Sequence, residues 1–211
     1  IDDNSGSSSW GQNWNDDGNY IIIRDSYENV SDRCDDEKDK VWLTIAHQYF
    51  HAIQREYNSS AQSYFKEMTS MWFEAVFVPS CYDFLSFVEN PEGIFENPER
   101  NFDHSTGGSW GYTLSLYPHY LTHSLGEDIM RTIWDNYNWG TTAFDALQLT
   151  LFEQGNTFPE TWVDFMSRNL YNNVLPSDHD IYYHPSQSEA NPVYTESLDF
   201  SNYTGWDDYK F

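Results

Sequence analysis

Leu43-Thr44-Ile45-Ala46-His47-Gln48-Tyr49-Phe50-His51-Ala52-Ile53-Gln54 is the stretch that decides how the rest of the chain reads. It lies inside a run from Asp35 to Tyr57 without glycine or proline, so it reads as the middle of a helix. His47 and His51 are four apart, which on a helix stacks their imidazoles one turn above the other. Val41, Trp42, Ile45, Tyr49, Ala52 and Ile53 make one broad apolar side, extended by Leu43, Ala46 and Phe50. Only a strip with Thr44, His47, Gln48 and His51 is polar. A helix apolar nearly all round is expected to be buried, and buried imidazoles and amides need partners. Hydrogen bonds could satisfy a pair of core histidines, or the two rings could share a metal ion.

A metal needs further ligands. After a polar break at Asn58-Ser59-Ser60, the spacing predicts a second helix from Tyr64 to Val78, with Tyr64, Met68, Met71, Ala75 and Val78 as its apolar stripe. Glu67 and Glu74 lie at the edge of that stripe. Glu74 sits among Met71, Trp72, Phe73 and Ala75, where a carboxylate is more than a solvated charge. Glu67 follows Lys66 and reads equally well as a surface acid. Two histidines on one helix and a glutamate on the next make a His₂Glu zinc site with an open position, so the expected ligands are His47, His51 and Glu74. The histidine pattern is one residue from the H-E-x-x-H of zinc peptidases. Gln48 stands where such an enzyme keeps its general base.

Ala46-His47-Gln48-Tyr49-Phe50-His51-Ala52-Ile53-Gln54, followed by Trp72-Phe73-Glu74-Ala75, resembles the secreted bacterial metalloproteases of the gluzincin type, whose first motif reads A-H-E-[FY]-F-H-A-[IV]-Q. More weakly, Tyr20-Ile21-Ile22-Ile23-Arg24-Asp25 resembles the strand before their active helix, and 110–134 the helices after it. The resemblance spans roughly residues 18–170, and only the two metal-site segments are specific. It implies a zincin-like α+β fold, helix-dominated with a small N-terminal sheet, and zinc on His47, His51 and Glu74. Two departures stand out. Gln48 replaces the glutamate, and Val76-Phe77-Val78-Pro79-Ser80 replaces the small-x-Trp-x-acidic run expected after Glu74.

Composition narrows the function classes. The 211 residues suit one domain, expected over 1–175, with 176–211 a polar, aromatic extension packed on it. Lys and Arg number 10 against 34 Asp and Glu, a net charge of −24. That argues against nucleic acid, and against membrane insertion no run reaches transmembrane length. Aromatics make up 18% of residues, which with many Asn, Ser and Gly suggests an extracellular protein or an adhesive surface. The chain starts at Ile1 without methionine or signal peptide, so a processed or excised piece is expected. Cys34 precedes the histidine helix and Cys81 follows the glutamate helix, so a disulfide would clip the two together; two core thiols are the alternative. Sequons at Asn29, Asn58 and Asn202 fit a secreted or cell-surface chain.

In chain order, Asn13-Trp14-Asn15-Asp16-Asp17-Gly18 resembles the opening half of a calcium loop. Arg24 stands where the closing glutamate belongs, so a polar turn is the competing reading. Tyr20–Arg24 reads as a strand, Tyr82–Val88 as a short helix or strand, and 90–108 as a long loop bordering the cleft. Helices are predicted at about 110–124, 126–138, 141–154 and 158–171, with Thr141 and Thr157 as N-caps. His119 and His123 are expected to point away from the apolar face of Leu114, Tyr117, Leu121 and Leu125.

The expected function is an extracellular zinc-metallopeptidase-like domain. An amide has no accessible basic form, and general acid–base help is worth about 10²–10⁴-fold, so Gln48 predicts little or no turnover. A domain that lost activity, a protease inactivated at one position, and recruitment of another acid such as Glu67 all remain open. A peptide or protein ligand is expected in the cleft, and self-association is compatible with the aromatic surface. The alternative is a non-catalytic structural or adhesive domain, or an assembly subunit.

Overall fold

The computed structural model describes residues 11–14, 20–23, 26, 34, 36–104, 109–138 and 140–190. Helix α1, Glu37–Tyr57, starts where the Asp36 carboxylate accepts from the Asp39 N–H at 2.8 Å. Helix α2, Ser63–Phe77, stops just before Pro79. Short helices α3, Leu85–Val88, and α4, Ser109–Thr113, are followed by α5, Leu116–Leu125; α6, Ile129–Asn136; α7, Ala143–Glu153; and α8, Phe158–Asn169. The helix expected over 110–124 breaks at Leu114 and Ser115 because Pro118 lacks an N–H and belongs in a helix's first turn. Thr142 rather than Thr141 caps α7, in a capping box with Asp145, and Thr157 caps α8 with Glu160.

The α+β expectation is overturned: the fold is helical. Extended backbone among the described residues is limited to a two-stranded antiparallel ribbon, β1 Gly11–Trp14 with β2 Tyr20–Ile23, in register Gly11 to Ile23. A lone ribbon has no central strand and builds no layer. The main apolar cluster runs from Ala61 to Ala190 and takes no described ribbon residue. Its largest fully buried side chains include Tyr117, Phe65, Phe84 and Phe165.

Helix α1 packs on α2 and on the ribbon, and α2 lies between α1 on one side and α4 and α5 on the other. Helix α1 buries its polar strip, with Thr44, His47, Gln48 and Gln54 inside beside Leu43, Ala46 and Phe50. Its broad apolar side is half open: Trp42 and Tyr49 are 43% and 55% exposed. Cys34 and Cys81 are disulfide-bonded, Cα atoms 4.5 Å apart, and pack with Leu43 and Val78 where α1 begins and α2 ends. His119, expected in solvent, is buried against Phe84 and His184, with ring centroids 5.5 and 4.2 Å away; His123 is exposed. Residues 176–190 pack back on the helices, with the Tyr183 ring between Tyr120 and Phe165. The sequons at Asn29 and Asn202 lie outside the described residues, as does the calcium-loop reading beyond Asn13 and Trp14. Asn58 is buried, and its Nδ2, the atom a glycan would use, lies 3.5 Å from Tyr137 O rather than in solvent.

Two outcomes follow. Burial lowers His184 to about 4 and holds His119 well below its usual range, so both are neutral in the fold. Unfolded, they take up protons near pH 6.5. Their contribution is therefore complete above about pH 6.5 and is lost as pH falls from there towards 4. Denaturant titrations should show stability falling across that window, less steeply in His184→Asn, whose side chain can still cap. Reducing the disulfide opens a loop of 47 residues; urea unfolding in dithiothreitol should show a loss of about 4 kcal/mol.

Candidate metal centre

Three polar residues of α1, His47, His51 and Gln54, face α2. His47 lies between two carboxylates of α2. Its Nδ1 is in short contact with Glu74, and its Nε2 is 3.1 Å from Glu67 Oε2. One turn on, His51 Nε2 is 3.4 Å from the same Glu67 oxygen. His47, His51 and Glu67 each offer one ligand atom, and these lie within 4.8 Å of one another. Glu74 therefore does not join both histidines at one point. It holds the far nitrogen of His47, and Glu67 bridges the near ones. The seven-residue spacing that put both acids on one face of α2 accounts for the pair. Lys66 was a poor guide to Glu67, because successive side chains of a helix point apart.

The rings are set from behind. Gln54, 1% exposed, turns its Oε1 to His51 Nδ1 at 2.7 Å. Its Nε2 donates to Lys66 O at 2.8 Å, with the Thr69 and Ser70 hydroxyls at 2.9 and 3.0 Å. These acceptors fix the amide orientation, so His51 Nδ1 donates to Gln54 and Nε2 is the ring nitrogen that faces Glu67. A carboxylate on His47 and an amide on His51 are the outer partners metal-binding imidazoles use. Gln54 followed from the histidine strip by helical spacing, but its apolar neighbours gave it no distinct signal.

Charge is balanced inside. Burial alone would lower His47; Glu74 and Glu67 overcome that and raise it to about 9. Burial raises Glu67, but hydrogen bonds from His47 and His51 reverse this and hold it below the usual carboxylate range. Burial lifts Glu74 to about 7 despite His47, with Asp83 and Glu67 adding to the rise. Without a metal, His47 is thus a cation between two acids, and a divalent ion would take the place of its Nε2 proton.

Helix α4 covers the cluster. A Cβ on Gly111 would lie 2.1 Å from Tyr64 O, so only glycine lets α4 approach α2 this closely. The next residue, Tyr112, hydrogen-bonds Glu67, its ring centroid 6.2 Å from that of His47. Burial, then Glu67, raises the Tyr112 phenol, which stays protonated and donates. Gln48 is buried on the same helix as His47. Its amide can hydrogen-bond water but cannot accept a proton from it.

Comparison with family models, with curated proteins and with solved structures gives no match. The group His47, His51 and Glu67 could hold a metal ion, and the disulfide points to an oxidising compartment. No described helix is long and apolar enough to cross a membrane.

The roles of the two acids separate by experiment. Divalent-metal titrations of Glu67→Gln should show the larger loss of affinity. Glu74→Gln and Gln54→Leu should each weaken binding by about 10–100-fold while keeping the stoichiometry. Equal effects of Glu67→Gln and Gln54→Leu would place Glu67 outside the ligand set.

Proposed function

We propose that this chain is a secreted zinc-binding domain of metallopeptidase type whose turnover Gln48 reduces to little or none. The observation that carries the reading is the meeting of His47 Nε2, His51 Nε2 and Glu67 at one partly buried point, each ring held by a further residue behind it. Two nitrogens and one oxygen suit zinc with an open fourth position. Bound there, zinc would polarise a peptide carbonyl and acidify water. The chain's residues supply the rest. Glu74 and Gln54 keep the ligand lone pairs aimed at that point, Tyr112 can donate to a bound oxygen beside Glu67, and Gln48 can orient water without deprotonating it. The gluzincin resemblance supports the two histidine ligands, though it implied Glu74 rather than Glu67 as the third, and the disulfide agrees with an oxidising compartment. An adhesive role is the second reading, favoured by the exposed Trp42, Tyr49 and Phe77 on the outer side of α1 and α2.

Elemental analysis of the purified chain should report about one zinc per molecule, lost in His47→Ala. Peptidase assays should be blank or close to it. Gln48→Glu should raise hydrolysis by about 10²–10⁴-fold. A zinc-loaded Gln48→Glu that stays inert would remove the peptidase reading and leave metal-dependent binding.

A further inference from the structure

A cavity of about 380 Å³ lies beyond Tyr112, lined by Phe87, Asn90, Glu92, Arg100, Ser109, Trp110 and Thr113. One lining residue connects it to the metal cluster: Phe87 packs on Tyr112, ring centroids 5.0 Å apart, and the Tyr112 ring lies 6.2 Å from that of His47. The lining group that departs from the chain's composition is Arg100, in a protein where basic residues number 10 against 34 acids. Its guanidinium lies 4.9 Å from the centre of the Trp110 ring, and Trp110 is itself buried and donates to Phe102 O at 3.0 Å. Stacking of this kind presents the guanidinium edge rather than its face. That edge already holds a carboxylate, with Arg100 Nη2 3.0 Å from Glu92 Oε2 and 3.2 Å from Asn97 Oδ1. Glu92 is held loosely, its side chain 78% exposed against 24% for Arg100. An exposed ion pair contributes little, so an incoming carboxylate can take the place of Glu92 without uncovering a buried charge.

We propose that this cavity is a carboxylate-binding subsite, in which Arg100, oriented by Trp110, takes the free carboxylate of a peptide in place of Glu92. The carboxylate belongs to a peptide's C-terminus or to an acidic side chain. The apolar lining of Phe87 and Trp110 takes the adjoining side chain. The assignment deepens the peptidase-type reading by naming a substrate class, but the pocket's binding does not require metal.

The test is calorimetric binding to the full chain, with and without zinc. The probes are acetyl-Ala-Ala-Phe with a free carboxylate, the same peptide as its C-terminal amide, and acetyl-Ala-Glu-Ala-amide. The free acid should bind roughly tenfold or more tightly than its amide, the range of charge-assisted hydrogen bonds. Arg100→Gln should erase that difference with circular dichroism and zinc content unchanged, and Glu92→Gln should tighten the free acid by removing its competitor. Stronger binding of the glutamyl peptide than of the free acid would assign the pocket to an acidic side chain and keep the proposal. Equal binding of acid and amide, no measurable binding of either at millimolar concentration, or discrimination that survives Arg100→Gln would overturn it. Discrimination in a protein that takes up no zinc would leave the subsite standing while the metal reading falls.

Discussion

A histidine with a carboxylate on each nitrogen can exist inside a protein only if the surrounding helices keep all three groups in register. His47 meets that demand between Glu67 and Glu74. Each of these charges alone would be costly to bury; the imidazolium offsets one carboxylate, and burial raises Glu74 to about 7. The arrangement needs α1 and α2 to stay at one distance and one rotation. The disulfide secures the end where α1 begins and α2 finishes, and Gln54 stitches the other end through Lys66 O, Thr69 and Ser70. Between these fasteners the contact pairs the histidine strip with the two acids and stacks Phe50 on Phe73, while Trp42 and Tyr49 stay largely exposed.

The rest of the chain serves as the wall against which that pair is held. Helix α2 buries Tyr64, Phe65, Met68 and Met71 on the side away from α1. Those side chains join an aromatic core in which Phe102 alone meets Tyr64, Tyr117, Phe144, Phe158 and Trp162. Large flat rings with few rotatable bonds fill such a core at low entropic cost. Gly111 brings α4 close enough to α2 to lay Tyr112 over Glu67, so one missing methyl group connects the aromatic scaffold with the polar centre. The same short helix carries Trp110, on which Arg100 rests, so the cluster and the neighbouring cavity are built on consecutive turns of one scaffold.

The surface follows a different rule. With a net charge of −24, most acids stay in solvent, where their mutual repulsion is screened. Glu67 and Glu74, which enter the interior, do so beside His47. His119 and His184 show the opposite solution: two imidazoles face each other, and burial keeps them neutral.

What the sequence determined by itself was local. Periodicity and the absence of glycine and proline marked α1 and α2 to within a residue or two, the four-residue spacing put His47 and His51 on one face, and the two cysteines bracketed the pair. These follow from backbone geometry and propensity, which neighbouring residues control. Which face of α1 turned inward was decided by the tertiary structure, because the buried polar partners of α2 outweighed the apolar bulk of Trp42 and Tyr49. The choice between Glu67 and Glu74 was decided there too, since both share one face of α2 and only the crossing of the helices says which acid meets which nitrogen. Gln54 as a clamp, the burial of His119 and the helical class rest on contacts between distant segments. The isoleucine run at Tyr20–Ile23 was legible as a strand, but a strand becomes a layer only when others pair with it, and here it has one described partner.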